Sequence, residues 1–87
     1  MWIMAENVLE TDLGDELVLM HAGLGEMFSL NDSGRVIWQA LPAPQDTLAE
    51  LLASTYGLTT AQARADVQAL LLELARRTLV RQVDVRP

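Results

Sequence analysis

The sequence predicts an α+β fold, a three-stranded antiparallel sheet followed by three helices. Three observations carry that prediction. Up to Leu30 the apolar residues alternate at the strand period, as Phe28 and Leu30 do. From Val36 onward they recur at the helical period: Val36, Ile37, Ala40 and Leu41 cluster on one side, and Trp38 widens the stripe. Between the two lies Asn31-Asp32-Ser33, whose short polar side chains cap a helix N-terminus. A strand therefore runs straight into a helix through one short joint, and Trp38 is expected to be buried there.

Val8 to Asp12 reads as the first strand, with Leu13-Gly14-Asp15 as its turn. Glu16 to His21 is the second, with Leu17, Leu19 and His21 on one face and Val18 and Met20 on the other. Ala22-Gly23-Leu24-Gly25 turns the chain into the third, Glu26 to Leu30. Short strands joined by tight turns make a meander. The alternation leaves open which set faces the core.

The first helix is expected from about Ser33 to Leu41, ended by Pro42 and Pro44, which lack an amide proton. Thr47-Leu48-Ala49-Glu50 fits a capping box opening the second helix, which carries Leu48, Leu51, Leu52 and Tyr56 to a left-handed Gly57. Thr59 and Gln62 make a second such box. The third helix then runs to about Arg77, with a stripe of Ala63, Val67, Leu70, Leu71 and Leu74. Leu72 falls outside that stripe. Arg81 to Pro87 is a frayed tail or a short added strand.

Eighty-seven residues fit a single domain, 1–87, with its core over about 8–80. The absence of cysteine excludes disulfides, thiolate nucleophiles and cysteine metal sites. No apolar run approaches the ~20 residues of a membrane span. Met1-Trp2-Ile3-Met4-Ala5 is too short for a signal peptide and lacks its basic start. A cytoplasmic protein is expected, with no membrane partner.

The net charge of −6 is uneven: through residue 50 Arg35 is the only base. The front half should repel nucleic acid and favour a basic partner. His21, the one histidine, has no neighbouring ligand set, and no His/Asp/Glu cluster stands at metal spacing. Ser29 and Ser33 lack a base nearby in sequence, and Gly23-Leu24-Gly25 is too short for a phosphate loop. No catalytic residue, metal or cofactor is expected.

The order of residues carries a resemblance. Leu30-Asn31, two residues, Gly34, two residues and Ile37-Trp38 resemble the "LN-xx-small-xx-IW" pattern of the PqqD-like family. Asp66-Val67, Leu70-Leu71, Glu73-Leu74 and Leu79-Val80 are similar to the family's ending. Two departures stand out: Thr78 replaces the usual glycine, and Ala40-Leu41-Pro42 replaces a Leu-Asp-Gly-like exit. The resemblance implies a winged helix-turn-helix-like arrangement. It also implies recognition of the leader peptide of a ribosomally made, modified precursor. Lasso-peptide clusters are one setting, in which the partners are a cysteine protease and an ATP-dependent cyclase resembling asparagine synthetase. Pyrroloquinoline-quinone clusters are the other. The acidic front half suits a leader with a basic start and favours the lasso setting.

In a sequential meander the third strand is an edge, whose unpaired backbone groups are a template for an added strand. The expected peptide site is therefore Glu26, Met27, Phe28, Ser29 and Leu30, walled by Asp66, Val67, Leu70, Glu73 and Arg77 of the third helix. Of these, Val67 is also expected in the core, with Leu71 and Leu74. Met20 and Met27 are adaptable residues placed near such a surface. The competing class is a winged-helix DNA binder. It is disfavoured by the acidic charge, the absence of lysine, and Asp66 and Glu73 among the helix's arginines.

Overall fold

The computed structural model describes residues 1–84. Its elements are β1 (Trp2–Met4), β2 (Val8–Asp12), β3 (Leu17–His21), β4 (Met27–Leu30), α1 (Asp32–Gln39), α2 (Gln45–Tyr56), α3 (Thr60–Arg76) and β5 (Val80–Gln82). The expected meander is there, in the order β2-β3-β4 and antiparallel throughout. It is not the whole of the β structure. A second, two-stranded sheet joins β1 to β5, with Trp2 opposite Gln82 and Met4 opposite Val80. Five strands in two sheets thus correct the expectation of one three-stranded sheet. The pairing was hidden because its strands are three residues each and lie at opposite ends of the chain. The added-strand reading of the stretch from Arg81 holds for Arg81 and Gln82, with the strand starting one residue earlier at Val80, while residues 85–87 lie outside the described residues.

Leu17 and Leu19 on β3 and Leu30 on β4 are buried, which settles the register of the alternation. Opposite them, the outer face of the sheet leaves Leu9 and Met27 more than half exposed. The two faces of this antiparallel sheet thus differ, one packed and one solvated. The helices cover the packed face through Ile37 and Trp38 of α1, Leu48 and Leu52 of α2, and Val67, Leu71 and Leu74 of α3. Trp38 is fully buried, as expected.

The joint is built as its residues suggest. Asn31 is the cap of α1: its Oδ1 accepts from the Gly34 backbone N–H at 3.1 Å and from the Ser33 hydroxyl at 3.0 Å. Gly34 is small for a reason of space. A Cβ there would stand 2.9 Å from Leu30 Cδ2 and 3.2 Å from Leu30 Cβ, so α1 rests directly on the strand that feeds it. Arg35 ties the same helix to the first turn of the meander. Its guanidinium holds Asp12 through two bonds of 2.8 and 3.1 Å and also donates to the Gly14 carbonyl. The Arg35 hydrogen bonds, then the Gly14 N–H, hold the Asp12 carboxyl below the usual carboxylate range.

Helix α2 starts two residues before the expected Thr47 cap. Pro44, at φ −69°, is its N-cap, and no side chain caps it. Tertiary anchoring outweighs the capping box here. Ala43 exchanges backbone bonds of 2.8 and 3.0 Å with Trp2, and the Trp2 indole N–H donates to Gln45 at 3.3 Å. The preceding loop is thereby held in place, and Pro44 already has the φ a helix entrance needs. Gly57 ends α2 in the left-handed region, as expected. Tyr56, placed on the apolar stripe by sequence, is exposed instead. The Thr59–Gln62 capping box of α3 is formed in both directions.

Thr78 explains how α3 ends without the family's glycine. It adopts φ +61°, the conformation glycine normally provides. Its N–H bonds the Ala75 carbonyl at 3.0 Å, and the Leu79 N–H bonds that of Leu74 at 2.9 Å. That pair is the Schellman motif. It turns the chain so that Leu79 and Val80 enter the core, and β5 can reach β1.

Candidate functional site

The edge of β4 follows from the ladder's alternation. In an antiparallel pair, opposite residues alternate between exchanging both backbone bonds and exchanging none. The His21 N–H bonds the Glu26 carbonyl at 2.8 Å, which makes 21 and 26 a bonded pair. Stepping by two along the register, Leu19 with Phe28 and Leu17 with Leu30 are also bonded pairs. Met20 with Met27 and Val18 with Ser29 are not. The backbone N–H and C=O of Met27 and Ser29 therefore point away from β3, toward the open side of the strand.

Beside that edge runs a groove of about 270 Å³, with Phe28, Ser29 and Leu30 on one side, Asp66 and Leu70 of α3 on the other, and Leu52 of α2 among its lining residues. Phe28 and Leu70 are half-buried, each packed against the core while still lining the groove. Ser29 is exposed, and its hydroxyl donates to Glu16 at 2.6 Å. Leu30 and Val67 are fully buried. Of the ten expected site residues, Leu30 meets the groove only from its buried floor, and Val67 does not line it because the helix turns it into the core.

The far end is closed by charge. Arg77 Nε donates to Glu73 at 2.9 Å, and its Nη1 lies 3.8 Å from Glu26. The same Nη1 donates to the Met27 carbonyl at 3.2 Å, and the guanidinium stands 5.1 Å from the centre of the Phe28 ring. Glu26, Met27, Phe28, Glu73 and Arg77 thus meet in one cluster across the two elements.

At the Asn31 end the groove continues into a hollow of about 460 Å³, whose walls include Asp15, Asp32, Asp66 and Tyr56. Asp15 and Asp66 make no ion pair with a base among the described residues, while Asp32 acts through space on the Arg35 guanidinium. Sequence reasoning did not place Asp15, Asn31, Leu52 or Tyr56 at the site. Asn31 carried a signal as a cap and in the family pattern but not as a site residue, and nothing local indicates that Leu52 and Tyr56 of α2 line the space beside β4.

The histidine has a structural role. His21 Nδ1 accepts from the backbone N–H groups of Gly23 and Leu24, at 3.1 and 3.2 Å, and so shapes the turn before β4. No group of three or more His, Asp or Glu among the described residues is arranged to hold a metal. No helix of the described residues is long and apolar enough to cross a membrane.

An open sheet edge beside a groove of mixed polar and apolar lining, with a helix as its far wall, is an arrangement on which a peptide strand can be added. The comparisons agree with the architecture. The family model of coenzyme PQQ synthesis protein D matches residues 16–80, and the chain belongs to this PqqD family. Among solved structures it is similar to TbiB1 in complex with the TbiA(beta) leader peptide. That match has a TM-score of 0.84 and 22% identity, covering 95% of this chain and 99% of the other. It is also similar to a lasso peptide synthetase B1 complexed with the leader peptide. There the TM-score is 0.82 with 23% identity, over 93% and 98% of the two chains. No curated protein matches the chain.

Proposed function

We propose that this protein binds the leader peptide of a ribosomally made precursor and presents it to a maturation enzyme, in a lasso-peptide setting, without catalysing a reaction itself. The observation that carries the reading is the outward pairing parity of Met27 and Ser29 beside the Phe28–Leu70 groove. The leader adds as a strand antiparallel to β4. Backbone bonds give no sequence choice, so selection falls to the groove, where Phe28 and Leu70 receive an apolar side chain. The family resemblance implies a lasso-type leader with a Tyr, a Pro and a Leu in one short motif, and these suit that surface. Leu30 lies at the groove's floor, while Asp66 stands at its wall and Glu26, Glu73 and Arg77 at its Met27 end.

An antiparallel leader has its N-terminal side at Asn31. There Asp15, Asp32 and Asp66 favour basic residues ahead of the paired segment. Structures of the two similar proteins hold leader peptides, which supports the assignment of class. The winged-helix-like order of sheet and helices belongs to the same proposal, with peptide rather than nucleic acid as the partner. A cysteine protease and an ATP-dependent cyclase are the proposed recipients of the bound precursor.

The test is titration of isotopically labelled protein with the leader of the precursor encoded beside it. Amide shifts should concentrate at residues 26–30 and along the Asp66–Leu70 side of α3. Affinity should fall between ~10 nM and ~10 μM, about −11 to −7 kcal/mol. Leu70→Glu should weaken binding at least ~10-fold while far-UV circular dichroism stays unchanged, because it places a charge on the apolar surface that Phe28 and Leu70 share. Shifts confined to α2 or the C-terminal segment would overturn the proposal.

A further inference from the structure

We propose that Arg77 is a displaceable latch on the β4 edge. In the free protein it occupies the Met27 carbonyl, and an incoming strand must take that carbonyl over. The inference rests on the strand-addition reading and adds a residue that competes with the peptide for part of the edge.

Two backbone carbonyls of β4 point outward, those of Met27 and Ser29. One of them is already engaged: Arg77 Nη1 donates to Met27 O at 3.2 Å. An added antiparallel strand paired at Met27 would offer its own N–H to the same oxygen. The guanidinium also stands over the Phe28 ring and so covers the aromatic wall that an apolar side chain of the peptide would contact.

The latch has a hinge. Arg77 Nε is held by Glu73 at 2.9 Å, on the same helix and four residues back. That bond is independent of β4 and can persist after Nη1 has left Met27. Glu26, at 3.8 Å, is the looser partner on the strand side. The Arg77 side chain is about one-third exposed, so water replaces the lost contact on release. Arg76, next to it, differs: it is 77% exposed and, among the described residues, pairs with Glu73, at 3.2 Å.

In the absence of peptide, such a latch blunts an exposed strand edge against unintended pairing. In its presence, the latch lowers the apparent affinity by the fraction of molecules that are closed. It also fixes where a weakly pairing peptide stops, since only strands that extend past Ser29 must open it.

The experiment uses the full chain and the leader of the precursor encoded beside it, with the TbiA(beta) leader as a second probe. In the wild type, the side-chain nitrogen resonances of Arg77 are followed through the titration. The Nη signals should change with the Met27 amide, and the Nε signal, held by Glu73, should stay. In parallel, Arg77→Met keeps an unbranched stem over Phe28 and removes the donor. It should bind about three- to tenfold more tightly, through faster association, and Arg76→Met should bind as the wild type does.

Weaker binding by Arg77→Met at an unchanged Tm would make Arg77 a peptide contact and overturn the latch. Arg77 Nη signals that stay fixed while Ser29 responds would overturn it as well, since the edge would then be capped permanently. The wild-type resonances decide the matter even if the variant is destabilised. A titration in which residues 26–30 do not respond at all defeats the strand-addition reading instead, which keeps the two failures apart.

Discussion

Proline placed along β4 should separate binding from folding by parity alone. Met27 and Ser29 direct their N–H groups outward, whereas Phe28 directs its own to Leu19. Met27→Pro and Ser29→Pro therefore remove no ladder bond, and proline is tolerated where the missing N–H faces an open edge. Each should leave stability within about 1 kcal/mol of wild type. Each removes one donor to the added strand, worth about 0.5–1.5 kcal/mol net, and its ring holds the peptide off the neighbouring bond as well. A loss of about 1–3 kcal/mol follows, or roughly 5- to 150-fold in Kd. Ser29→Ala controls for the hydroxyl bond to Glu16.

Phe28→Pro should do the opposite. It orphans the Leu19 carbonyl, at about 1–3 kcal/mol, and strips a half-buried ring, at about 1–2 kcal/mol. A domain of this size has about 4–13 kcal/mol in all. A fall in Tm of roughly 10–25 °C is expected. The assays are thermal melts followed by circular dichroism and leader titration by calorimetry. Full binding by both Met27→Pro and Ser29→Pro would refute strand addition at β4. A Phe28→Pro variant as stable as wild type, with Ser29→Pro unfolded, would refute the assigned parity.

Trp38→Ala should cost about 3–5 kcal/mol in chemical denaturation, because the fully buried ring leaves a cavity between the sheet and the helices; a wild-type midpoint would refute its burial. Thr78→Gly should raise stability by about 0.5–1.5 kcal/mol, because a β-branched residue at φ +61° is disfavoured; a lower Tm would show that the threonine side chain compensates. In Arg35→Met, the Asp12 carboxyl should titrate at a higher pH than in the wild type, followed by carbon NMR. The folded-state value in the wild type is lowered, so the Arg35–Asp12 contribution is present above the unfolded value near pH 4 and lost as pH falls through the folded one. An acid limb of the stability profile unchanged by Arg35→Met would refute that assignment.

Much of the architecture was local and therefore legible. The change from period two to period 3.6 at Asn31 marks the joint because each period belongs to one backbone geometry. Asn31 caps α1, Thr59 and Gln62 cap α3, and Gly57 closes α2, each through bonds to groups within a few residues. Position 34 has to be small, and the ordered pattern around it is by itself enough to point to the family. The sequence also pointed to β4 and α3 as neighbours across a groove, the place proposed here for the peptide. What it left undecided depends on partners distant along the chain. The β1–β5 sheet joins segments some 80 residues apart, too short and too remote for periodicity to register. The bridge from Trp2 to Ala43 moved the start of α2 ahead of its capping box. The parity of β4, and with it which backbone groups face outward, came from a single hydrogen bond between His21 and Glu26. The meeting of Arg77 with Met27 spans 50 residues. Alternation states that a strand has two faces and two edges; only the packing of neighbouring elements decides which of them is left open.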